Sequence, residues 1–436
     1  MQRKTLLQLF FPIYFETLFY MLAGIIDTLM VSSVGDTAVG AIGTAGTYIS
    51  VFIMMYAIIS NGMMAVMTQN IGANRPGVAC QARNLGLGFN MVFGLLLSAV
   101  LFFGSDLILT TIGISQALYE PASTYLKIVG GCSFLNAILP IASGYLRAFG
   151  YTKQPMLAAV IGNVVNLILN AVFLFAFDMG VAGVAWATVI SRVVNLAIVA
   201  ICAHRLIDSS GYTERIGSLT LFKQIISIGL PSALETIVYN LCMTFVIKFL
   251  NQMDSEGFNV TARSYAMQIA NFSYCIGAAL AASNAIITGW RIGSEEYEEV
   301  RKGTRKAAVY GVLIAVVFES CLCLLSPVIM RFFSSDPDMI STVRTLLFID
   351  IFLEIGRVTN LVYVQALKTS GDAVYPVIIA IIFMFICQVL GSYLFGIRLG
   401  YLVIGAYIAL SLDECARAVM FILRFRSGKW MEKKLV

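Results

Sequence analysis

The chain has 436 residues, of which 59% are hydrophobic and only 12% charged, with a formal net charge of +5 and a mean hydropathy of +0.86. A soluble domain carries about 25% charged residues, so this composition excludes one and implies a polytopic membrane protein. At about 20 apolar residues per crossing there is room for roughly twelve spans joined by short loops, and none for a soluble domain of any size.

Apolar runs between charged or Gly/Pro breaks predict helices over 8–31, 44–67, 86–110, 121–146, 154–176, 181–204, 224–250, 260–287, 308–331, 340–366, 374–397 and 403–424. The first run reads as a transmembrane helix and not as a cleaved signal, because it holds Glu16 and Asp27 and many more runs follow it. Basic residues concentrate in the even-numbered connections and at the two ends, among them Arg3, Lys4, Arg75, Arg83, Arg147, Lys153, Arg205, Lys223, Arg291, Arg301, Lys368 and Lys433. The odd-numbered connections are poorer, with Arg398 inside one and Lys248, Arg263, Arg331 and Arg344 near helix ends. By the positive-inside rule both termini are cytoplasmic.

The longest polar interruption, His204 to Lys223, falls near the middle and reads as a linker. It divides the chain into a six-helix lobe over 1–204, a cytoplasmic linker over 205–223 and a second six-helix lobe over 224–436. The halves align on each other: Pro12 and Glu16 on Pro231 and Glu235, Tyr20 on Tyr239, Ile71-Gly72 on Ile292-Gly293, and Leu146-Arg147 with Gly150 and Pro155 on Leu367-Lys368 with Gly371 and Pro376. Six helices per half make this a parallel repeat about an axis along the membrane normal. The predicted fold class is therefore all-α, with twelve transmembrane helices in two lobes.

Charge at membrane depth costs several kcal/mol, of order ~3 per residue near the middle of a span, so each ionisable residue there is a candidate for function. Glu16 and Asp27 lie on one face of the first helix, about 16 Å apart in height. No basic residue lies within a helical turn of Asp27, and such a carboxylate can carry a proton or bind a cation, or serve a structural hydrogen bond. Glu16 and Glu235 follow prolines at matching spacing, so they are either cavity residues or relics of duplication that cap a broken turn. Glu354 with Arg357 and Asp413 with Arg417 have i,i+3 and i,i+4 spacings that let each pair meet, as internal ion pairs or as groups facing a substrate. Asn166 and Asn170 share a face of the fifth helix and offer neutral oxygen ligands, with Asn163 nearby and Thr188 adding a hydroxyl from the sixth; helix-to-helix bonding is the alternative role. Nine cysteines scattered singly and one histidine, His204, leave no disulfide framework, metal-ligand spacing or hydrolytic triad to build on, so no enzyme is expected.

At these residues the chain resembles the multidrug and toxic compound extrusion (MATE) family. The resemblance rests on Gly24-Ile-Ile-Asp27-Thr-Leu-Met-Val-Ser-Ser-Val-Gly35, the Ile71-Gly72 loop with Arg83, the Leu146-Arg147-Ala-Phe-Gly150 turn, the Asn166/Asn170 helix and Gly180-Val-Ala-Gly-Val-Ala-Trp-Ala-Thr188. It implies two six-helix lobes facing each other in a V and export of amphipathic, often cationic compounds against inward H⁺ or Na⁺. It implies a cation-coupling site at Asp27, Asn166, Asn170 and Thr188, with Na⁺ at Asp27 the only metal expected and no organic cofactor. Some branches carry a second aspartate where this chain has Asn170, which weakens a two-carboxylate Na⁺ site and leaves H⁺ coupling open. Another branch carries a helix 10 aspartate where this chain has Arg357, with Glu354 one turn earlier, so an acidic Na⁺ site there is not expected. Glu16, Glu235, Glu354 and Arg357 are the candidate cavity residues. The expected partners are a small-molecule substrate and the lipid bilayer, with no nucleic acid, for a monomer in a prokaryotic cytoplasmic membrane. The alternative is a flippase of a lipid or lipid-linked saccharide.

Overall fold

Hydrocarbon offers no partner to a backbone N–H or C=O, so a chain this apolar satisfies both within helices. The computed structural model describes residues 4–254 and 256–436, which contain helices and no strand; Arg3, counted above among the basic residues, lies outside them. The α-helices are α1 (Leu6–Ser32), α2 (Asp36–Gly72), α3 (Pro76–Phe103), α4 (Ser105–Ile112), α5 (Gln116–Tyr125), α6 (Phe134–Ala148), α7 (Lys153–Ala171), α8 (Gly180–Leu206), α9 (Ser218–Met253), α10 (Phe258–Gly293), α11 (Tyr297–Met330), α12 (Pro337–Ser370), α13 (Val374–Phe383) and α14 (Leu402–Arg426). Among the described residues nine helices are long and apolar enough to cross a membrane, and the bent pair α5 and α6 makes a tenth. The remaining two, α12 and α14, are equally long. They differ in carrying Asp350, Glu354 and Arg357, and Asp413, Glu414 and Arg417, which gives the twelve crossings predicted.

The helices overrun their hydropathy limits: the second, expected over 44–67, runs Asp36–Gly72, and the third begins at Pro76. Apolarity marks only the middle of a span, whereas a helix continues until its ladder is broken. The breaks repeat between halves. Asn74 and Glu295 both take positive φ, at 59° and 60°, and the next amides close on Asn70 and Arg291 with the same 2.8 Å. Gly150 and Gly371, with φ of 86° and 100°, end α6 and α12 alike. Both are left-handed positions that favour glycine.

The pair α5 and α6 bends by 41° where a π-helical turn, Leu126–Gly130, precedes Gly131. The bend strands amides, and neighbours meet one of them: Phe134 N donates to Ser98 Oγ of α3 at 2.9 Å. Asn90, fully buried on α3, donates to Tyr56 O of α2 and Ala137 O of α6, the kind of polar bond that joins helices in lipid.

Two compact units result among the described residues, one of residues 4 and 11–230, the other of 5–10, 231–254 and 256–436. Within the first, α2 meets the start of α9 at two glycines. A Cβ on Gly62 would stand 1.9 Å from Ile225 O, and one on Gly229 would stand 1.8 Å from Ile58 O. Gly229→Ala must push the helices apart, and is expected to cost about 1–3 kcal/mol as an overpacking change, read as a lower melting temperature in detergent.

Asp254 organises the start of α10 by accepting from Phe258 N at 2.9 Å and Asn259 N at 3.0 Å. Burial acts to raise its carboxyl, but the hydrogen bonds from Asn259 and Phe258 outweigh it and hold the group below its ordinary value. Stability from a depressed carboxyl is full above the unfolded value of about 3.9 and is lost as pH falls through the folded one. Asp254→Ala is expected to cost about 1 kcal/mol at neutral pH, as loss of a helix cap does. The difference in melting temperature from wild type should close as the pH is taken below that range.

Candidate functional site

The first unit gathers the residues expected to couple an ion. Asn166 and Asn170, one turn apart on α7, are buried, and α1 places the half-buried Asp27 beside them. Asn170 Nδ2 donates to Asp27 Oδ1 at 2.8 Å and to Asn166 Oδ1 at 3.2 Å. Asn170 Oδ1 is buried with no hydrogen-bond partner. A half-turn of that amide would present an acceptor to a protonated Asp27, or an oxygen ligand to a cation. The same face of α1 is held by Asn163 Nδ2 on Phe19 O and by Asn195 Nδ2 on Tyr20 Oη at 3.0 Å. Thr188, expected to add a ligand, donates its hydroxyl to Val184 O of its own helix at 2.9 Å.

Arg192 of α8 stands close enough for its charge to act on Asp27, Tyr20 and Tyr125. Along α1 the aspartate has no base nearby; α8 supplies one.

Glu16 and Glu235 cap no broken turn. A carbonyl released by proline needs a donor, which an ionised carboxylate lacks. Each binds a base on the fourth crossing of its own unit: Arg147 Nη2 to Glu16 Oε1 at 2.5 Å, and Lys368 Nζ to Glu235 Oε2 at 2.7 Å. The pair is thus repeated with the fold. The first lines a cavity of about 320 Å³ with Tyr20, Asn61 and Ser143.

The second unit holds a cavity of about 510 Å³ whose walls include Glu235, Arg263, Asp350, Arg357, Glu414 and Arg417. Glu354, fully buried, binds Arg357. Arg417 Nη2 reaches Asp413 Oδ2 at 2.6 Å and Glu414 Oε1 at 2.9 Å, and Asn360 Nδ2 donates to Glu414 Oε2 at 2.6 Å. Glu319 of α11 is fully buried with neither oxygen hydrogen-bonded, the Ser273 hydroxyl lying beside it out of bonding geometry. Val246, which the repeat aligns with Asp27, is packed in an apolar cluster.

Comparison with known proteins follows the same duplication. The MatE family model matches twice, over residues 12–172 and 231–394. The chain belongs to the MATE family of membrane transporters. It is 31% identical to the uncharacterized transporter YisQ of Bacillus subtilis, over 98% of this chain and 95% of that one. It is 26% identical to the probable multidrug resistance protein NorM of Thermotoga maritima, over 100% and 94%. The solved structure of the MATE transporter VcmN of Vibrio cholerae superposes with a TM-score of 0.88 at 20% identity, covering 98% of both chains, a likeness of fold.

Among the residues of this MATE-family chain that sequence reasoning underweighted, Arg147 and Lys368 sit at the hydropathy limit and were assigned to connections. Their matching register was the available signal. Arg263 falls near a helix end in the hydropathy pattern, and the approach of Arg192 to Asp27 is a contact between helices, which leaves no trace in spacing. The Glu16–Arg147 pair yields a prediction. Arg147→Met strands the buried Glu16 carboxylate and is expected to cost about 3 kcal/mol, Glu16→Gln leaves the part-exposed Arg147 and should cost less, and the double variant recovers most of the loss. Melting temperatures of the three variants in one detergent check this.

Proposed function

We propose that this MATE-family protein is a secondary active antiporter that exports amphipathic organic compounds bearing a cationic centre, driven by inward H⁺ or Na⁺ through alternating access. The observation that carries the reading is Asp27 held by Asn170 and Asn166 within the first unit. A bare carboxylate is costly to enclose, and binding H⁺ or Na⁺ removes the charge, so ion binding and enclosure favour each other. The acid, the amide and the unpartnered Asn170 oxygen supply either ligand set. Arg192 weighs toward the proton, since a retained Na⁺ would sit near a guanidinium, whereas a proton simply neutralises Asp27. The relatives named as multidrug resistance proteins support the cargo class.

The protein would act as a monomer in the cytoplasmic membrane of a prokaryote with both termini inside, following the distribution of lysine and arginine. A flippase of lipid-linked saccharide is not favoured. Its pyrophosphate needs several free cations at one place, and Arg357 and Arg417 are already committed to Glu354, Asp413 and Glu414.

In proteoliposomes, wild type should accumulate a fluorescent organic cation only under an inward-driving pH or Na⁺ gradient. Asp27→Asn should lose about tenfold or more of that rate, the effect of ~1.4 kcal/mol or more of coupling. Undiminished gradient-driven transport by Asp27→Asn would sink the reading, and transport over a range of pH without Na⁺ separates the two ions.

A further inference from the structure

The turn between α11 and α12 encloses a crevice of about 590 Å³ in the second unit, walled by Pro327 and Arg331 from the end of α11, Ser334 and Ser335 from the turn, and Ser341 and Arg344 from α12. No acid lines it. The nearby Asp336 carboxylate caps its own helix, accepting from Asp338 N at 3.0 Å. Among the described residues neither guanidinium makes a hydrogen bond or ion pair. In the orientation proposed above this turn faces outward, where bases are few, so two of those few meeting in one crevice repel each other until an anion joins them.

Depth says where that anion sits. Lys306 and Arg331 lie 25 residues apart along α11 and its last turn, about 37 Å at ~1.5 Å per residue. The hydrocarbon core is about 30 Å thick and the bilayer with its headgroups about 40–45 Å. With Lys306 at the cytoplasmic surface, Arg331 therefore reaches the opposite headgroups. Deeper than the arginines both helices present exposed apolar side chains, Leu324 and Val328 on α11 and Phe348 one turn beyond Arg344 on α12. Phe332 and Phe333 stand exposed at the turn itself, as aromatics do at a membrane interface.

We propose that this crevice binds the phosphate of an anionic phospholipid of the outer leaflet, Arg331 and Arg344 taking its oxygens, with the Ser335 and Ser341 hydroxyls at hand and the acyl chains along Leu324 and Phe348. A free phosphate would meet the same guanidinium groups but not the apolar faces below them. The exposed Asp336 and Asp338 at the start of α12 also repel a multiply charged free anion more than a headgroup carrying one charge. The site lies apart from both cavities, and the inference takes from the proposed function only the orientation of the chain.

Melting temperatures of the purified full-length protein, in detergent micelles doped with one lipid at a time, test this. Phosphatidylglycerol is expected to raise the melting temperature about 2–4 °C above that in phosphatidylcholine, whose choline would bring a cation to the arginines. The difference should vanish when Arg331→Gln and Arg344→Gln are combined, and Arg344→Lys should keep part of it. Lys248→Gln, which removes a base near another outer helix end, should leave it unchanged. Melting of every variant with wild type in phosphatidylcholine shows that the fold is intact. Inorganic phosphate, at ionic strength matched with chloride, should not reproduce the rise.

The proposal is overturned if phosphatidylglycerol stabilises no more than phosphatidylcholine, if the double variant keeps the difference, or if inorganic phosphate gives the same rise, which would mark a site for the free ion. The leaflet is checked separately by Ser335→Cys, which a membrane-impermeant maleimide should label from outside intact cells above the wild-type background. Labelling only from the cytoplasmic side overturns the outer-leaflet placement together with the proposed orientation. Loss of the lipid preference with labelling from outside sinks this inference alone.

Discussion

Every charge that these helices carry into the hydrocarbon region has to be compensated within the protein, and the interior is organised around how that is done. Glu16 with Arg147, Glu235 with Lys368, Glu354 with Arg357 and Asp413 with Arg417 are direct ion pairs. They allow α12 and α14 to cross although they carry more charge than the other spans. Asp27 is held instead by the amide of Asn170 with Arg192 nearby, and Glu319 is buried with neither oxygen hydrogen-bonded.

Duplication supplies the frame against which those exceptions stand out. Both halves end their second crossing at a left-handed residue, both end the fourth at a left-handed glycine, and both pair a glutamate four residues after a proline with a base on the fourth crossing. Asp27 has no counterpart, since Val246 occupies its place within an apolar cluster. The carboxy-terminal unit has instead gathered Asp350, Asp413 and Glu414 with three arginines around one cavity, with Glu354 paired to Arg357 behind its wall. The two halves have kept one architecture and diverged in their polar interiors.

Much of the site was legible along single helices. Glu354 with Arg357 and Asp413 with Arg417 meet because the period of the helix puts i,i+3 and i,i+4 on one face, and Asn166 meets Asn170 for the same reason. Glu16 was legible as a cavity residue or a cap, but its partner was not, because its base lies 131 residues away. Thr188 lies on the expected helix and donates its hydroxyl to the preceding turn, as threonines in helices do.

Composition, hydropathy and the repeat by themselves determined an all-helical membrane protein of twelve crossings in two related halves, and marked Asp27 as an acid with no base within a turn of its own helix. That information is local: burial in lipid needs about 20 apolar residues in a row, and duplication preserves spacing. Only the tertiary structure decided which charges are paired and which are open. It brought Arg192 to Asp27 and Asn170 to its carboxylate, gave Glu16 its arginine, and placed Arg263 in the wall of a cavity that Asp350 and Glu414 also line. Those partners sit on different helices, and which faces meet depends on how helices rotate and pack, a property of the assembled fold that no spacing along one helix records.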